Sequence, residues 1–408
     1  MFLKADTVAT AIEKLQAKSD FLKTQEVSLA NALGRILASD VVSTEQAPYF
    51  ARSVVDGYAV RVADITGASM EHPVALVSRG YIPIGTLPDL TLNPGECVEI
   101  ATGGAIPQGA DAVAMVEYCE VLASGHIAIG QSLKPGQHIV PVGDDFQADT
   151  LLLNRGTTLS PYDLGLLAAA GIGQVSVFVR PRLSLLVTGS ELVSPTQPVV
   201  AGKVRDINSV ILTALATSLG YEVVSRQLLP DDDETIESAL REACITSDIV
   251  LLSGGSSKGK ADNNRQIIDN VTGGGVFTHG LGLKPGKPTI LAHDLTTHTL
   301  IAGLPGNPMS ASVVFMTLFE TLLQRLTGSK SQMPLPVTLA ETIKSDPGKR
   351  TLILCHLLPN LGEPGYTAKP IVYRSANVHS LSQADGYIIL DEKTYELPAG
   401  TSLWVHPL

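Results

Sequence analysis

The spacing of apolar positions changes along the chain, and each change predicts a different kind of structure. Residues 6–38 repeat apolar side chains at helical spacing, with Asp6 or Thr7 as the N-cap, which predicts helices interrupted at Gly34. Residues 54–140 are short β-rich runs separated by Pro and Gly, which predicts a mainly β domain. Residues 160–171 then predict a helix with proline in its first turn and glycine at its end.

Beyond residue 181, apolar strands alternate with helices. The predicted strands cover residues 183–187, 222–225 and 249–252, and the predicted helices cover residues 208–219, 233–244 and 263–271. This order indicates βαβ units and a parallel sheet. Residues 327–332 are polar and are interpreted as a linker. The later segments 351–357, 371–373, 387–390 and 402–405 alternate with period two, which predicts a small terminal β domain.

A glycine-rich loop at residues 253–262 follows the third of these strands without a spacer. Its glycines allow positive φ and let backbone N–H groups approach an anion, while Lys258 and Asp262 add charge. An ordinary strand-to-helix turn is the alternative interpretation. On the first interpretation, the loop binds a phosphate or a similar oxyanion.

Three other apolar runs also end in polar loops, at residues 188–192, 284–288 and 305–312. In open α/β sheets, ligands bind outside the carboxyl ends of parallel strands, where such loops converge. We therefore expect the four loops to form one shared site.

Acidic side chains at residues 231–234 come just before or at the start of a predicted helix, where carboxylates favour capping. Together with Glu191 and Asp262 on neighbouring loops, the cluster also suits Mg²⁺, which usually takes one or two carboxylates plus substrate phosphates. Both interpretations remain open at this stage.

Two lysines, Lys284 and Lys287, flank a proline-glycine turn. Alone such a turn is usually solvated, but beside a glycine-rich loop two ammonium groups can hold a divalent oxyanion. Residues 305–308 open a helix whose N-terminus either is capped or offers free N–H donors to an anion. The segments at Asp56 and Thr102 are most simply turns.

Composition restricts the class of protein. The 408 residues are 44% hydrophobic and 17% charged, which indicates a globular chain of several domains. A formal net charge of -11 disfavours binding to nucleic acid or anionic membranes. The four cysteines are far apart and predict reduced, buried thiols. With neither a signal-peptide pattern nor a membrane-length apolar run, we expect a cytoplasmic protein.

The motifs also exclude several reaction classes. The chain contains no G-x-S-x-G elbow, complete P-loop or G-x-G-x-x-G fingerprint, which disfavours acyl transfer, P-loop hydrolysis and dinucleotide redox chemistry. Motifs that are present follow a recognisable order: residues 33–41, 56–60, 102–107, 109–113, 188–192, Asp206 with Asn208, 253–262, 284–288 and 305–308. That order resembles the molybdopterin molybdenumtransferase family, the molybdenum-insertion enzymes of molybdenum cofactor biosynthesis, related to the C-terminal domain of gephyrin.

The resemblance implies an α/β multidomain fold and a homodimer. The parallel-sheet molybdopterin-binding domain would cover residues 181–328, beside a discontinuous N-terminal domain (1–52 plus 141–180), an inserted β domain (53–140) and a C-terminal β domain (329–408). It also implies that molybdenum from molybdate is inserted into adenylated molybdopterin with Mg²⁺, releasing AMP. A molybdopterin adenylyltransferase would supply the substrate.

The resemblance further assigns roles to individual residues, which fall into three groups. Catalytic roles fall to Asp56, Asp232, Asp262, Lys284 and Lys287. Substrate contacts fall to Thr102, Thr188, Gly189, Ser253, Gly254, Gly255, Ser257, Gly306, Asn307 and Ser375. Metal positions fall to Asp145, Glu191, Asp232 and Asp262. Since the family's β domain reaches toward the partner subunit, Asp56 and Thr102 are expected to act in trans.

Some positions depart from the family pattern. An arginine is absent from residues 140–142, Ser190 replaces an aspartate, and Ser256 and Lys258 replace apolar residues of the glycine-rich loop. These changes leave two alternatives to molybdenum insertion: a non-catalytic paralogue that carries a pterin or nucleotide, and an enzyme that uses tungstate.

Overall fold

The structure is a computed structural model that describes residues 5–254, 260–330, 332–346, 348–360, 362, 364–371 and 378–408, with only the backbone described at 260–262 and 380. The chain forms two compact units. One comprises Met1–Ser39, Arg155–Leu159 and Ser176–Leu408, and the other comprises Asp40–Asn154 and Ser160–Val175. None of the helices in these described ranges is long and apolar enough to span a bilayer.

The helices are α1 (Val8–Ala17), α2 (Pro161–Ala169), α3 (Asn208–Ser218), α4 (Asp233–Thr246), α5 (Lys260–Thr272), α6 (Pro308–Phe315), α7 (Thr321–Thr327) and α8 (Val378–Gln383). The strands of the first half are β1 (Thr24–Ser28), β2 (Val41–Val42), β3 (Arg52–Ser53), β4 (Gly57–Val60), β5 (Val74–Ile82), β6 (Glu96–Ile100), β7 (Ala112–Met115), β8 (Cys119–Val121), β9 (His126–Ile129), β10 (Ile139–Val140), β11 (Leu151–Leu153) and β12 (Gln174–Phe178). Those of the second half are β13 (Arg182–Thr188), β14 (Leu192–Val193), β15 (Val204–Arg205), β16 (Glu222–Leu229), β17 (Ile249–Ser253), β18 (Val276–His279), β19 (Leu283–Lys284), β20 (Ile290–Asp294), β21 (Thr299–Leu304), β22 (Leu335–Leu339), β23 (Ile343–Lys344), β24 (Arg350–Pro359), β25 (Tyr366–Pro370), β26 (Gly386–Leu390), β27 (Glu396–Leu397) and β28 (Ser402–Pro407).

The unit that contains residues 40–154 is built on a six-stranded sheet in the order β7-β4-β6-β5-β9-β8. The segment from Asp56 to Ala59 was expected to be a turn, and that prediction is wrong because Gly57 begins the inner strand β4. Only glycine fits at position 57, because a Cβ there would overlap with the carbonyl oxygen of Ala114 on β7. Helix α2 begins as predicted, with Ser160 and Asp163 forming a reciprocal capping box.

The larger unit contains a six-stranded sheet in the order β16-β13-β17-β21-β20-β18. The pairs β16-β13, β13-β17 and β17-β21 are parallel, which confirms the predicted α/β domain. Its strands are continuous apolar runs because both faces are covered: Leu185 and Leu251 pack into one core, and Leu186 and Leu252 into the other. Strand β20, in contrast, runs antiparallel to β21, so the sheet is mixed at this end.

The helical prediction for residues 6–38 is correct only in its first part. Thr7 caps α1 by accepting a hydrogen bond from the Thr10 N–H, and α1 buries its apolar face in the core of the α/β domain. The following segment forms strand β1 and a short 3-10 turn, Leu29–Asn31, instead of a second helix. The β-branched Thr24 and Val27 favour the strand there.

The C-terminal region is the predicted small β domain. Strands β24, β25, β22, β28 and β26 pair successively, and β24 also pairs with β26, so the five strands close into a ring. Closure removes the exposed edges that an open sheet of this size would present. The run at 281–283, expected to end a parallel strand of the α/β sheet, instead leads into β19, which pairs with β24 of this domain.

The cysteines are free, as predicted, and Cys97, Cys244 and Cys355 are buried whereas Cys119 is partly exposed. Burial raises the pKa of each of the three buried thiols to about 12, so they remain protonated at neutral pH. They therefore behave as small apolar side chains.

Candidate functional site

The carboxyl ends of three parallel strands carry the polar residues of the candidate site. Strands β13, β17 and β21 end at Thr188, Ser253 and Leu304, and their registers place Val187 beside Ser253 and Ser253 beside Leu304. Three of the four predicted loops therefore start from neighbouring strand ends. This is the arrangement expected for a ligand site in an open α/β sheet.

Asn208, the first residue of α3, joins two of these strand ends. Its Nδ2 donates to Ser253 Oγ (2.8 Å) and to the Gly306 carbonyl oxygen (2.9 Å). Asn208 is only 6% exposed, and its hydrogen bond to Ser253 is buried whereas that to Gly306 is partly buried. A second asparagine, Asn264 of α5, donates in the same way to the Gly254 carbonyl oxygen at 2.9 Å. The two side chains fix the relative positions of the loops.

Gly254 packs directly on the end of the neighbouring strand. Its φ is +133°, and a Cβ there would overlap with both the carbonyl oxygen and Oγ1 of Thr188. The expectation that this glycine takes positive φ is thus confirmed. The close approach leaves no room for any other residue.

Two buried polar atoms at this edge lack a hydrogen-bond partner within the described ranges: Thr188 Oγ1 and Asn208 Oδ1. Thr188 is 3% exposed. Since buried polar atoms in native proteins are almost always paired, such atoms at strand ends are well suited to a polar ligand.

Ser190 and Asp231 form a reciprocal pair between the loops that follow β13 and β16. The Asp231 N–H donates to Ser190 Oγ (3.1 Å), and the Ser190 N–H donates to Asp231 Oδ2 (3.3 Å). Lys203 Nζ donates to the Ser190 carbonyl oxygen at 2.6 Å. Ser190, which stands where the family pattern has an aspartate, is therefore hydrogen-bonded to the carboxylate of Asp231 and lies beside Lys203.

The acidic side chains near this site act mainly as helix caps. Asp232 Oδ2 accepts from the N–H of Thr235 at 2.9 Å and also from its hydroxyl, and these hydrogen bonds lower the pKa of Asp232. Asp206 Oδ1 accepts from the Ser209 N–H at 3.0 Å. Glu191 is exposed on the loop after β13. The capping interpretation thus describes both aspartates, and Asp232 remains exposed to solvent.

The same acidic side chains are also the candidates for holding a metal ion. Among the residues whose side chains are described, no three His, Cys, Asp or Glu side chains lie close enough to hold one ion. Mg²⁺ in enzymes often needs only one or two carboxylates plus substrate phosphates, which Glu191 or Asp232 could provide. The side chain of Asp262, on the first turn of α5, lies outside the described residues.

The lysine turn packs on α6, since a Cβ on Gly286 would approach Val314 Cγ2 to 2.7 Å. Lys284 Nζ forms an ion pair with Asp346 Oδ1 at 3.0 Å, whereas Lys287 is exposed. Asn307 caps α6 by accepting from the Ser310 N–H at 3.2 Å. Lys284 is therefore ion-paired, whereas Lys287 forms no ion pair with the described residues.

Asp56 and Thr102, which belong to the other compact unit, are in direct contact. Asp56 Oδ1 accepts from the N–H (2.7 Å) and from Oγ1 (2.9 Å) of Thr102, and these hydrogen bonds lower the pKa of Asp56. Asp145 is exposed on a different turn, where its N–H donates to the Ala47 carbonyl oxygen at 3.0 Å. The first two predicted site residues of this unit are therefore brought together.

Several predicted positions lie outside the described residues: Gly255, Ser257 and Ser375, together with Ser256 and Lys258. Sequence reasoning also missed two residues that organise the site, Lys203 and Asn264. Lys203 could have been recognised from its place between the polar loop 188–192 and Asp206. Asn264 gave no such signal, because nothing in the sequence shows that it contacts Gly254.

Comparison with known proteins accounts for nearly all of the chain. The MoeA N-terminal region (domain I and II) matches residues 6–171, a probable molybdopterin binding domain matches residues 184–325, and the MoeA C-terminal region (domain IV) matches residues 336–408. The chain belongs to the molybdopterin molybdenumtransferase family, as the motif order predicted. It is accordingly a transferase of molybdenum cofactor biosynthesis.

Individual relatives agree with this assignment. The chain is 32% identical over 392 residues to the molybdopterin molybdenumtransferase of Nostoc sp., an alignment that covers 95% of this chain and 88% of that protein. It is 30% identical to gephyrin of Dictyostelium discoideum, covering 92% of this chain and 58% of gephyrin. A crystal structure of the molybdopterin biosynthesis MoeA protein of Pyrococcus horikoshii matches with a TM-score of 0.80, at 32% identity and 99% coverage of each chain.

Proposed function

We propose that the protein inserts molybdenum from molybdate into adenylated molybdopterin and releases AMP. The observation that carries this proposal is the edge of strands β13, β17 and β21, where Thr188 Oγ1 and Asn208 Oδ1 are buried without a hydrogen-bond partner among the described residues. Membership in the family supplies the identity of that ligand, since its relatives are named for transfer of molybdenum to molybdopterin.

Each group of residues has a distinct task in this proposal. The strand-end residues Thr188, Ser253 and Gly254 bind and orient the pterin and its phosphate. They are suited to this task because Gly254 packs closely against Thr188 and because the hydrogen bond from Asn208 holds Ser253 in place. Lys287 is exposed on the lysine turn, forms no ion pair with the part of the chain that the structure describes, and receives an oxyanion. Lys284 would exchange its exposed ion pair with Asp346 for the oxyanion.

Mg²⁺ would be held by Glu191, Asp232 or Asp262 together with substrate phosphate, and would supply Lewis-acid stabilisation of the phosphate that leaves as AMP. Asp232 suits this task because its lowered pKa keeps it anionic at neutral pH. The Ser190 pair with Asp231 supports an intact site, since a carboxylate still lies at the position where the family aspartate is missing.

We further propose a homodimer in which Asp56 and Thr102 of one subunit serve the site of the other, with Asp145 as a further metal or water ligand. The lowered pKa of Asp56 ensures a carboxylate there at neutral pH. A molybdopterin adenylyltransferase is the proposed substrate donor, and the cytoplasm is the proposed compartment.

The decisive experiment supplies purified protein with adenylated molybdopterin, molybdate and Mg²⁺ and measures AMP by chromatography. We expect AMP release and loss of about tenfold to a hundredfold in rate for Lys287→Ala, as for a lost charge-assisted hydrogen bond. Lys369→Ala, an exposed lysine of β25, is the matched control and should retain full activity. Tight binding of adenylated molybdopterin without AMP release would favour the non-catalytic carrier. Preferential use of tungstate over molybdate would indicate an enzyme that inserts tungsten instead of molybdenum.

The dimer is tested by co-expressing Asp56→Asn with Lys287→Ala, each inactive or weak alone. If the two residues act on the same site from different subunits, mixed dimers contain one intact site and activity returns to about a quarter of wild type. No recovery in a verified mixed dimer would contradict action in trans.

A further inference from the structure

A cavity lies at the opposite end of the α/β domain from the candidate site. Helix α3 begins at the strand ends with Asn208 and finishes at Ser218, and the residues after it, Leu219 and Gly220, line the cavity. The 11 residues of α3 span about 16 Å, which separates the two sites. The cavity volume is about 490 Å³, within the range of small-molecule sites.

Glu320 is the carboxylate of this cavity. It ends a π-helical segment, Met316–Glu320, that interrupts the helical run from α6 to α7, and such segments are frequent at functional sites. One of its oxygens, Oε1, accepts from Gln324 Nε2 at 3.0 Å, and the other has no hydrogen-bond partner in the described ranges. Burial raises the pKa of Glu320, and the hydrogen bond from Gln324 only partly offsets that effect.

The other polar groups around Glu320 do not neutralise it. Tyr387 and His406 stack with ring centroids 5.2 Å apart, and both line the cavity. Burial raises the pKa of Tyr387 to about 12 and lowers the pKa of His406, so both rings are neutral at pH 7. Lys330 lines the cavity too, but within the described ranges it is not ion-paired with Glu320.

The helix ends add further negative potential. Both α3 and α7 finish at the cavity, and the carboxyl end of a helix carries a partial negative charge. Helix α3 has no basic residue in its last turn, and Arg325 of α7 donates to Gln16 Oε1 at 3.4 Å. Glu320 and the two helix ends therefore favour a cation in this cavity, and Lys330 is the one lysine in its described lining that opposes them.

The remaining wall is apolar, with Leu219, Met316 and Leu323 beside the Tyr387 ring. A ligand with an ammonium group would pair that group with Glu320, and its apolar body would pack against these side chains. We propose that this cavity binds a small organic cation that joins an ammonium group to an aromatic or aliphatic body, at a site separate from that of molybdenum insertion.

The test uses 2-phenylethylamine as the probe, with 2-phenylethanol and 3-phenylpropanoate as its neutral and anionic counterparts. Calorimetric titration of the whole protein at pH 7.5 should show the amine binding at least about tenfold more tightly than the alcohol, and no binding of the carboxylate. Absence of saturable amine binding, or equal affinity for amine and alcohol, would overturn the proposal.

Variants locate the binding. Glu320→Gln keeps the shape and removes the charge, so the preference for the amine should fall to less than about twofold. Leu219→Trp fills the cavity and should abolish binding of both amine and alcohol. Glu13→Gln removes an exposed glutamate of α1 and should leave all affinities unchanged. Unchanged amine binding in a folded Glu320→Gln or Leu219→Trp variant would refute the proposed site.

Discussion

Gly254→Ala is the most direct perturbation of the candidate site. Gly254 follows β17 with φ at +133°, and an added Cβ would overlap with backbone and side-chain oxygens of Thr188. The carbonyl oxygen cannot rotate away, because Val187 and Ser253 are paired in the parallel ladder just before it. The methyl group can be accommodated only if the two strand ends move apart.

Two terms determine the size of the effect. A non-glycine residue at positive φ costs roughly 1–3 kcal/mol, and overpacking a closely packed position costs roughly another 1–3 kcal/mol. The sum, about 2–6 kcal/mol, is a large fraction of a total stability on the order of 5–15 kcal/mol. Gly273→Ala provides the matched control, because Gly273 also has positive φ (+62°) but nothing lies within 4 Å of its Cβ position.

The assay is chemical denaturation of both variants, followed by measurement of adenylated molybdopterin binding on the folded protein. We expect Gly273→Ala to lose roughly 1–2 kcal/mol, the cost of positive φ alone, and to bind normally. Gly254→Ala should lose at least about 2 kcal/mol, and its ligand affinity should fall because the strand ends no longer converge. Equal destabilisation of the two variants, with normal ligand binding, would refute the close-approach argument.

Three further changes test other parts of the structure. Asn208→Ala removes one buried and one partly buried hydrogen bond and should lower the free energy of unfolding by about 1–3 kcal/mol, measured by denaturant titration; no change would contradict the bridging role. Glu320→Gln should increase stability by up to about 1 kcal/mol at pH 8 but little at pH 4. The raised pKa of Glu320 means that the native carboxyl destabilises the fold progressively as pH rises from its ordinary pKa through its folded pKa, and pH-dependent unfolding would check this. Thr102→Val removes one hydrogen bond to Asp56, so NMR titration should find Asp56 protonating at higher pH than in the wild type, and an unchanged pKa would contradict the hydrogen-bond explanation.

The α/β domain could be predicted from sequence because its strands are buried on both faces. Continuous apolar runs such as Ile249–Ser253, each followed by a helix with recognisable caps, define that arrangement locally. The predictions that failed depended on distant partners. Gly57 begins a central strand because β7 lies beside it, and residues 281–284 join the C-terminal domain because β24 pairs with them.

The sequence by itself determined the alternation of strands and helices in the α/β domain, the family and the polar residues at the strand ends, because helix caps, strand runs and glycine loops depend on nearby residues. Only the tertiary structure decided how those residues are used. Asn208 bridges Ser253 and Gly306, and Glu320 lines a cavity away from them, because residues about 45 to 100 positions apart in the chain meet only after the sheet has formed. Long-range packing therefore distinguishes a binding residue from a structural cap.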